Sequence, residues 1–430
     1  MMIGIVSLLG VLMLAFLRVP LAFALMAVSI GGLTFMISWD VTRSMVSLTI
    51  TQAVFSYEMA VVPMFVLMGN VLARSGIADD LFRAAYAFLG STRGGLALST
   101  MMTCAGFSAV SGSSLATAAT MSKVAYPSMK RYGYSDSFAS ATIAAGGSLG
   151  ILIPPSIILI IYGILTQTNI GHLFIAGVLP GLLGLGLYLV VVWLVARWRP
   201  ESAPRGEAVP LKEKLASLRG VWPFALLFVM VIGGIYVGLF TPTEAGGMGA
   251  GFALIIALLQ RRIGLRHLRR IFVETAATSV MLYAVLFGAM LFTHLISFSG
   301  LGEGIRQAIE GMGLGPYQTL LMILLVFLVL GCVMDSLSII LICVPLFVPT
   351  LAAGGFDLVW FGIIVVVVTE IALITPPIGM NVFVIKASLP HVPLVSIYKG
   401  LVPFIGADLV RLGLLIAFPA ISLVLVQMMR

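Results

Sequence analysis

Long, unbroken apolar segments are the feature that most restricts how this chain can fold. The segment from Phe224 to Phe240 contains no charged residue. Lipid offers no partner to backbone N–H and C=O groups, so only helices and closed barrels span it. Barrel strands alternate apolar and polar residues, which these segments do not do. With 9% charged residues, against about 25% in soluble domains, the sequence predicts an all-α, polytopic membrane protein without a soluble domain.

Basic residues give the chain a formal net charge of +8, but they lie in short segments beside the apolar ones. This arrangement is typical of cytoplasmic loops and does not point to nucleic acid. We therefore place residues 197–219 and 261–270 in the cytoplasm. Alternation of the crossings then puts both termini outside. The first segment has neither a basic n-region nor a cleavage site, so we expect it to remain as the first membrane helix.

Two kinds of apolar segment are present. Full crossings are expected at residues 2–17, 21–38, 50–73, 138–165, 172–196, 221–240, 243–260, 273–298, 360–386 and 400–428. Two further segments, 95–128 and 317–350, are interrupted near the middle by polar residues at 108–114 and 334–338. Non-helical backbone at membrane depth is tolerated where it is buried in protein or lines a wet cavity. We therefore predict that both segments are re-entrant helical hairpins whose tips contribute to a site.

Landmarks recur in the two halves of the chain at nearly one offset. The offset is 222 residues for Pro20 and Pro242 and for Pro154-Pro155 and Pro376-Pro377, and 224 for Ser75-Gly76 and Ser299-Gly300. Each half has five crossings and one hairpin, and an odd number of crossings turns the second copy upside down. The sequence thus predicts an inverted repeat, with copies at 1–196 and 221–430 and a cytoplasmic linker at 197–220.

Short segments of mixed charge follow the two Ser-Gly turns, at 77–89 and 302–312. They are either ordinary surface loops or a pair of helices that lie along the membrane interface and brace a mobile unit.

Both Pro-Pro pairs interrupt apolar segments, and a proline removes an amide donor and clashes with the preceding turn. The broken helices leave carbonyl groups that, with the hydroxyls of Ser111, Ser113, Ser338 and Thr375, can surround a hard cation. Helix N-termini at the same depth attract an anion. The alternative is that small residues allow close helix packing and that the prolines only kink the helices. Packing alone does not account for two hairpins and two breaks at corresponding places, which favours a functional site.

Charged residues within apolar segments are costly and therefore point to function. Asp335, at the second hairpin tip, is the best candidate for a direct cation ligand. Glu370 is either a hydrogen-bonding group between helices or an outer partner of an ion site. Asp408 and Arg411 are three residues apart on one helix and are expected to neutralise each other.

The sequence lacks the common motifs of metal-dependent hydrolases and of ATP-using enzymes. The histidines show no HExxH spacing, and there is no GxxxxGK[ST] phosphate loop, so metal-dependent hydrolysis and ATP use lack their usual signatures. An intramembrane hydrolase that uses Ser113 or Asp335 remains as an alternative from another functional class, although no His or Lys is placed as its base in a known motif. We expect no enzymatic activity.

Long motifs, in order along nearly the whole chain, resemble those of one transporter family. They are RVPLAFAL at 18–25, GFSAVSGSSLATAATMSKVAYPSMKRYGYSDSFASATIAAGGSLGILIPPSIILIIYG at 106–163, TPTEAGG at 241–247, MDSLSIILICVPLFVP at 334–349 and TEIALITPPIGMNVFV at 369–384. With these motifs the chain resembles the large membrane subunit (DctM-like) of tripartite ATP-independent periplasmic (TRAP) transporters, within the ion transporter superfamily.

The resemblance implies an elevator-type secondary transporter, in which two hairpins and two discontinuous helices move against a scaffold and carry two or more Na⁺ with the solute. By motif matching, one sodium region is expected at Ser108, Ser111, Ser113, Gly147, Gly150 and Ile153. The other is expected at Asp335, Ser338, Thr369, Ala372, Thr375 and Gly379. The substrate is expected between them, at Ser113, Ser114, Pro155, Ser336, Pro376 and Asn381.

The resemblance also implies the surroundings of the protein. These are the bacterial inner membrane and its lipid, a separate small four-helix membrane subunit, and a periplasmic solute-binding protein. The solute is expected to be a small organic acid such as a C4-dicarboxylate or a sialic acid, and both termini would be periplasmic. A standalone sodium–carboxylate symporter of the same superfamily, without a binding protein, is the alternative.

Overall fold

The structure is a computed structural model that describes residues 1–429, and at residues 265 and 266 it describes the backbone alone. The part of the predicted basic segment 261–270 that falls on Arg266 therefore lies outside the described side chains. The described chain is helical, with an isolated antiparallel bridge between Arg93 and Arg205. The all-α prediction is confirmed for this part of the chain.

The helices of the first half are connected by short turns. They are α1 (Met2–Phe16), α2 (Leu21–Met36), α3 (Trp39–Phe55), α4 (Val61–Arg74, after a 3-10 turn at Tyr57–Ala60), α5 (Ile77–Leu89), α6 (Gly95–Ser111), α7 (Ser114–Val124), α8 (Tyr126–Arg131), α9 (Asp136–Ser148), α10 (Ile157–Thr166) and α11 (Ile170–Trp198). Ser113, Ser135 and Ser156 begin α7, α9 and α10, because each hydroxyl accepts the backbone N–H three residues later. Such N-caps satisfy amides that a helix leaves unpaired.

The second half continues in the same manner. Its helices are α12 (Leu211–Phe228), which runs through a π-helical turn at Val229–Gly233 into α13 (Gly234–Tyr236), then α14 (Pro242–Leu259), α15 (Leu265–Ser299), α16 (Leu301–Gly311), α17 (Pro316–Gly331), α18 (Ser336–Ala353), α19 (Leu358–Ile374), α20 (Met380–Ser388), α21 (Leu394–Ala417) and α22 (Ala420–Met428). Asp335 and Asp357 cap α18 and α19 with their carboxylates.

Two predicted crossings have the wrong boundaries. The segment 50–73 belongs to two helices, because α3 ends at Phe55 and Ser56 is extended. Helix α3 itself was not predicted, since its polar residues hide its helical pattern. The segment 400–428 is also divided, because α21 ends at Ala417 and Pro419 precedes α22. Helix α12 begins inside the predicted linker, at Leu211.

Seven of the described helices are long and apolar enough to cross a membrane. They are Tyr57–Arg74, Ile170–Trp198, Leu211–Tyr236, Pro242–Leu259, His267–Ser299, Ser336–Ala353 and Leu394–Ala417. The short segments after the Ser-Gly turns form the helices α5 and α16, so the surface-loop interpretation is wrong.

The packing of the helices brings the two halves together. Helix α15 packs along α2 and α4, and α14 packs along α4. Around the predicted site, α6 packs against α9 and α17 packs against α19. The halves also exchange contacts, since α10 packs against α18 and α20 packs against α7. The residues between α6 and α7 and between α17 and α18 therefore lie close to both interrupted helices.

Candidate functional site

Each predicted hairpin tip ends in a capped helix N-terminus. At the first tip, Ser113 Oγ accepts the Ala116 N–H at 3.4 Å. At the second, Asp335 Oδ2 accepts the N–H groups of Leu337 at 3.2 Å and Ser338 at 3.4 Å. Ser113 and Asp335 are 222 residues apart, the offset of the Pro-Pro pairs. The helices α7 and α18 thus begin at equivalent points, and each presents a partial positive charge there.

Glycine permits the turn at the first tip. Gly112 ends α6 with a φ of 57°, and a side chain at this position would lie 3.1 Å from the Pro155 carbonyl oxygen. A residue with a Cβ is strained at such a φ. The backbone of the tip therefore packs directly against the backbone of the interrupted segment between α9 and α10.

A cavity of about 430 Å³ lies where the two tips meet α4 and α15. The first tip contributes Ser111–Leu115 and the second contributes Asp335–Leu337. Helix α4 contributes Asn70, and α15 contributes Thr278, with apolar side chains around them. Two helix N-termini and several hydroxyl groups thus face one small space, which suits an anionic solute.

Asp335 also lines a second cavity of about 660 Å³, together with Ser338, Arg18 and Met380. Its carboxylate orientation is fixed, since Oδ1 accepts the Ser338 hydroxyl while Oδ2 accepts backbone amides. A carboxylate has about four lone-pair sites, so capacity remains for a cation. Asp335 therefore stands between the two cavities with a fixed negative charge.

The first predicted sodium region contains a buried hydroxyl, that of Ser108. Ser108 is fully buried, and its Oγ makes no hydrogen bond to the residues that the structure describes. Gly150 packs so closely that a side chain would lie 2.9 Å from the Ser113 carbonyl oxygen. Ser111 Oγ pairs with Thr117 Oγ1 at 2.8 Å. The structure thus brings most of this region together, although Ile153 packs against Gly181 of α11.

The second predicted sodium region is built around the end of α19. A side chain at Gly379 would lie 3.0 Å from the Leu373 carbonyl oxygen and 3.1 Å from that of Thr375. The Gly379 N–H donates to the Cys332 carbonyl at 3.1 Å, which ties the segment to the second tip. Backbone oxygens therefore converge at this break, as a sodium site requires.

Three hydroxyl groups of this region have other partners. The hydroxyls of Thr369 and Thr375 donate within α19, at 2.8 and 2.6 Å. The Ser338 hydroxyl donates to Asp335. Each retains acceptor capacity. Ala372 packs against Gly331 of α17.

The predicted substrate residues are not all at the cavity. Ser113, Ser114 and Ser336 line it. Pro155 is buried behind Gly112, and Pro376 is exposed. Asn381 is fully buried, and its Nδ2 donates to the Ala144 carbonyl at 3.3 Å. The three serines thus share one surface with Asp335, while Asn381 contacts α9.

The sequence patterns do not single out several residues of the cavity, among them Asn70 and Thr278. Asn70 of α4 donates to Thr275 of α15 at 3.0 Å and lines the cavity beside Thr278. A lone amide in the apolar segment 50–73 could have indicated Asn70, because unpaired amides are costly in lipid. The two threonines carry no comparable signal, since their hydroxyls can bond to their own helix.

Polar contacts also hold α8, which follows α7, against α9 and the segment after α20. Tyr126 donates to Asp136 at 2.9 Å, Lys130 donates to it at 2.6 Å, and Tyr126 contacts His391 at 2.7 Å. Burial acts to raise the pKa of Asp136, but the hydrogen bonds from Lys130 and Tyr126 outweigh it, so the pKa lies below its ordinary value. These contacts anchor the first predicted hairpin beside the end of α20.

The buried charges of α19 and α21 form one cluster. Arg411 pairs with Asp408, at 2.9 Å, as predicted, and it also donates to Glu370 of the neighbouring helix. Glu370 therefore makes the hydrogen bond between helices that the first alternative predicts, while its role as an outer partner of an ion site stays a prediction.

Comparisons with known proteins show the family to which the chain belongs. Residues 8–421 match the family model for "Tripartite ATP-independent periplasmic transporter, DctM component". A C4-dicarboxylate TRAP transporter large permease protein of Pseudomonas aeruginosa is 39% identical over 92% of each chain. A sialic acid TRAP transporter large permease protein of Vibrio cholerae is 30% identical over 98% of each chain.

A solved structure shares the fold. The YdaH transporter of Alcanivorax borkumensis has a TM-score of 0.64 and 15% sequence identity, and the match covers 90% of this chain and 91% of that one. The family consists of transporter permease subunits and not of enzymes, which excludes the hydrolase alternative. We conclude that this multi-pass membrane protein belongs to the DctM family of TRAP transporter large permease subunits.

Proposed function

We propose that this subunit imports a small organic acid together with Na⁺ through the cavity between the two helix tips. The observation that carries the proposal is the convergence of the α7 and α18 N-termini on one space of about 430 Å³. Each N-terminus is equivalent to roughly half a positive charge. The hydroxyls of Ser113, Ser114 and Ser336 add donors for a carboxylate.

Sodium binding would make this space suitable for an anion. Without a cation, the Asp335 carboxylate repels an acid that enters the cavity. A sodium ion held by Asp335 and the carbonyls near Gly379, and another held near Ser108, would compensate that charge. Coupling follows because the acid binds well when the cations are present. The buried Ser108 hydroxyl, which makes no hydrogen bond to the described residues, supports the ion site near Ser108.

The proposed solute is a C4-dicarboxylate or a sialic acid. Relatives named for both are 39% and 30% identical to this chain. If two Na⁺ accompany a monoanion, each cycle carries one positive charge inward, and the membrane potential contributes about 2.3 kcal/mol per 100 mV.

An elevator motion is proposed for the transport step. The inverted-repeat hypothesis, with copies at 1–196 and 221–430 joined through 197–220, is supported by helix positions. Helices α9 and α19 begin 222 residues apart, at Asp136 and Leu358. The exchanged contacts of α10 with α18 and of α20 with α7 support one moving unit, the two re-entrant hairpins with the interrupted helices. Helices α2, α4, α14 and α15 would form the scaffold.

The subunit is proposed to act in the bacterial inner membrane with two partners. Large subunits of this family work with a small membrane subunit and a periplasmic binding protein. For this chain we propose the same assembly, with a separate four-helix subunit and both termini in the periplasm. A standalone symporter is the alternative outcome of the test below.

Uptake into proteoliposomes tests the proposal. The chain is reconstituted with its small subunit, and labelled succinate or N-acetylneuraminate is offered on the matching binding protein. We expect uptake that requires an inward Na⁺ gradient and the binding protein. Active uptake that ignores the Na⁺ gradient would disprove sodium coupling. Uptake by this chain without either partner would instead establish the standalone symporter.

A further inference from the structure

The second cavity, of about 660 Å³, lies between the α1–α2 turn and the second tip, and the proposed acid site does not use it. The turn contributes Arg18, and the tip contributes Asp335 and Ser338. Apolar side chains form the rest of the wall. Among the described residues that line the cavity, Arg18 is the one cation. The cavity therefore offers one guanidinium, one carboxylate and one hydroxyl group to an occupant.

Arg18 stands in a turn whose backbone favours glycine. Its φ is 64°, a left-handed conformation that residues with a Cβ rarely adopt. The Arg18 N–H donates to the Ala15 carbonyl and the Val19 N–H donates to the Leu14 carbonyl, both at 3.0 Å. Helices that end with this pattern usually have glycine at the left-handed position. The turn after α13 does, at Gly238 with a φ of 73°. Glycine would thus satisfy the backbone at position 18, where the chain has an arginine.

The guanidinium of Arg18 is free to bind a ligand. It has no ion-pair or hydrogen-bond partner among the side chains that the structure describes. A guanidinium carries five N–H donors in a planar fork that matches the two oxygens of a carboxylate. The structure therefore aims an unused carboxylate-binding group into the second cavity.

A second arginine shows what the turn alone requires. Arg261 follows α14 in the same kind of turn, with a φ of 54°, and the Arg262 N–H donates to the Ala257 carbonyl at 3.0 Å. A cation is favourable at the C-terminus of a helix, and this explains either arginine equally well. Arg261, however, is exposed and is not among the residues that line the two cavities. The cavity distinguishes Arg18 from Arg261.

Asp335 makes a cation in the second cavity necessary for an acid. It lines both cavities, so an acid that leaves the space between the tips for the second cavity stays beside the Asp335 carboxylate. Like charges repel strongly where little water separates them. Between the tips, two helix N-termini offset this repulsion. In the second cavity, a bond between the acid and the Arg18 guanidinium can offset it.

We propose that Arg18 binds a carboxylate of the transported acid in the second cavity, which is thus a second anion subsite on the transport path. The predicted topology puts the α1–α2 turn on the cytoplasmic side, so this subsite holds the acid before its release. The inference rests on the proposed import of an organic acid, but it requires no particular cation ligand.

A direct ion pair between Arg18 and Asp335 is the competing assignment. In the structure, the Asp335 carboxylate accepts the N–H groups of Leu337 and Ser338 and the Ser338 hydroxyl. No ion pair joins it to Arg18 among the described residues. The cavity that the two residues share, of about 660 Å³, has the size of typical small-molecule sites. A small acid therefore fits between the α1–α2 turn and the tip.

Inhibition of uptake by internal acid tests the proposal. Proteoliposomes with the chain and its small subunit are loaded with unlabelled succinate or N-acetylneuraminate, and Na⁺-driven uptake of the labelled acid is measured. The binding protein is added outside, so that molecules with their periplasmic face outward transport. Internal acid that rebinds at the exit slows the cycle.

We expect Arg18→Gly, which suits the φ of the turn, to raise the internal concentration at half-inhibition at least about tenfold. A hydrogen bond to a charged group contributes more than the free energy that changes an affinity tenfold. Arg18→Lys should also raise it, because an ammonium group lacks the planar fork. Arg261→Gly, the same change in the same kind of turn, is the matched control and should leave the inhibition unchanged.

Equal inhibition of Arg18→Gly and of the unaltered protein would overturn the subsite and leave the proposed import intact. If the unaltered protein takes up neither acid, the proposed function fails, and the subsite fails with it.

Charge rescue separates binding from a structural role of Arg18. Arg18→Cys is treated with a methanethiosulfonate that adds either an aminoethyl or a sulfonatoethyl group. The aminoethyl group, a cation, should restore inhibition at lower internal acid concentrations, and the sulfonatoethyl group, an anion, should not. The described native cysteines are buried, so the unaltered protein treated with both reagents is the control. Restoration by both reagents, or by neither, would overturn the proposal, because Arg18 would then serve the turn alone.

Discussion

Two aspartates cap helices in the same manner, but they have different surroundings. Asp335 caps α18 and lines both cavities. Asp357 caps α19, with its Oδ1 accepting the Val359 and Trp360 N–H groups at 2.7 and 3.1 Å. Asparagine caps a helix about as well as aspartate. An Asp→Asn change at each position therefore separates the capping role, which both share, from the charge at the cavity.

For Asp335→Asn we expect the Na⁺ concentration at half-maximal uptake to rise roughly 10- to 150-fold. A contact with a charged group contributes about 1.5–3 kcal/mol, and about 1.4 kcal/mol corresponds to tenfold. Expression and thermal stability should stay the same, because the cap remains. Asp357→Asn is the control and should leave the Na⁺ dependence unaltered. An unchanged Na⁺ dependence in Asp335→Asn would remove Asp335 from the ion site.

Ser108→Ala tests the buried hydroxyl of the first sodium region. Since Ser108 Oγ makes no hydrogen bond to the described chain, its removal should not lower thermal stability. We expect weaker Na⁺ activation of uptake, by about tenfold if the hydroxyl contributes 1.4 kcal/mol to the bound ion. Ser29→Ala of α2, another fully buried serine without a described partner, is the control. Equal effects of the two variants on Na⁺ activation would indicate that Ser108 serves packing alone.

Between elements, the contact of α4 with the first tip is unusually close. A methyl group at Gly69 would lie 2.9 Å from the Val110 carbonyl oxygen. In an elevator motion this contact separates, since α4 belongs to the proposed scaffold and the tip to the moving unit. A methyl group at Gly69 would crowd the Val110 carbonyl in this conformation. The crowding would be relieved when the tip moves away from α4.

We therefore expect Gly69→Ala to slow uptake. Overpacking costs about 1–3 kcal/mol, which would depopulate this conformation roughly 5- to 150-fold. Gly251→Ala of α14 is the matched control, because no described atom lies within 4 Å of the added methyl group. Uptake is measured for both after reconstitution. If Gly69→Ala transports at the unaltered rate, this contact does not separate during the cycle.

At the scale of the whole molecule, the inverted repeat predicts that equivalent helices of the two halves lie on opposite sides of the membrane. Helices α5 and α16 follow equivalent Ser-Gly turns, and each exposes one polar face. Arg83 and Gln307 are exposed on these helices and are 224 residues apart, the offset of the turns. In an inverted repeat these two positions must lie on opposite sides of the membrane.

Labelling with a membrane-impermeant maleimide tests this claim. We expect Arg83→Cys to react from the cytoplasmic side and Gln307→Cys to react from the periplasmic side. The native Cys104, Cys332 and Cys343 are buried, so the unaltered protein is the background control. Reaction of both positions from one side would contradict the inverted repeat, whatever the transported solute.

The sequence by itself determined the features that depend on local chemistry. The apolar segments required helices because lipid leaves backbone groups unpaired. The prolines at 154–155 and 376–377 required breaks because they remove amide donors. The serines and Asp335 at the two tips could be recognised as polar residues that interrupt apolar segments, and the motifs around them were sufficient to identify the family.

The tertiary structure alone decided which distant residues meet. Asn70 and Thr275 are 205 residues apart, and Glu370 and Arg411 are 41 apart, so no local pattern connects either pair. The boundary between α3 and α4 was likewise missed, because polar residues on a helix packed against α2 blur the apolar pattern. Partners across helix interfaces depend on how whole helices pack, and many packings are compatible with the same apolar segments.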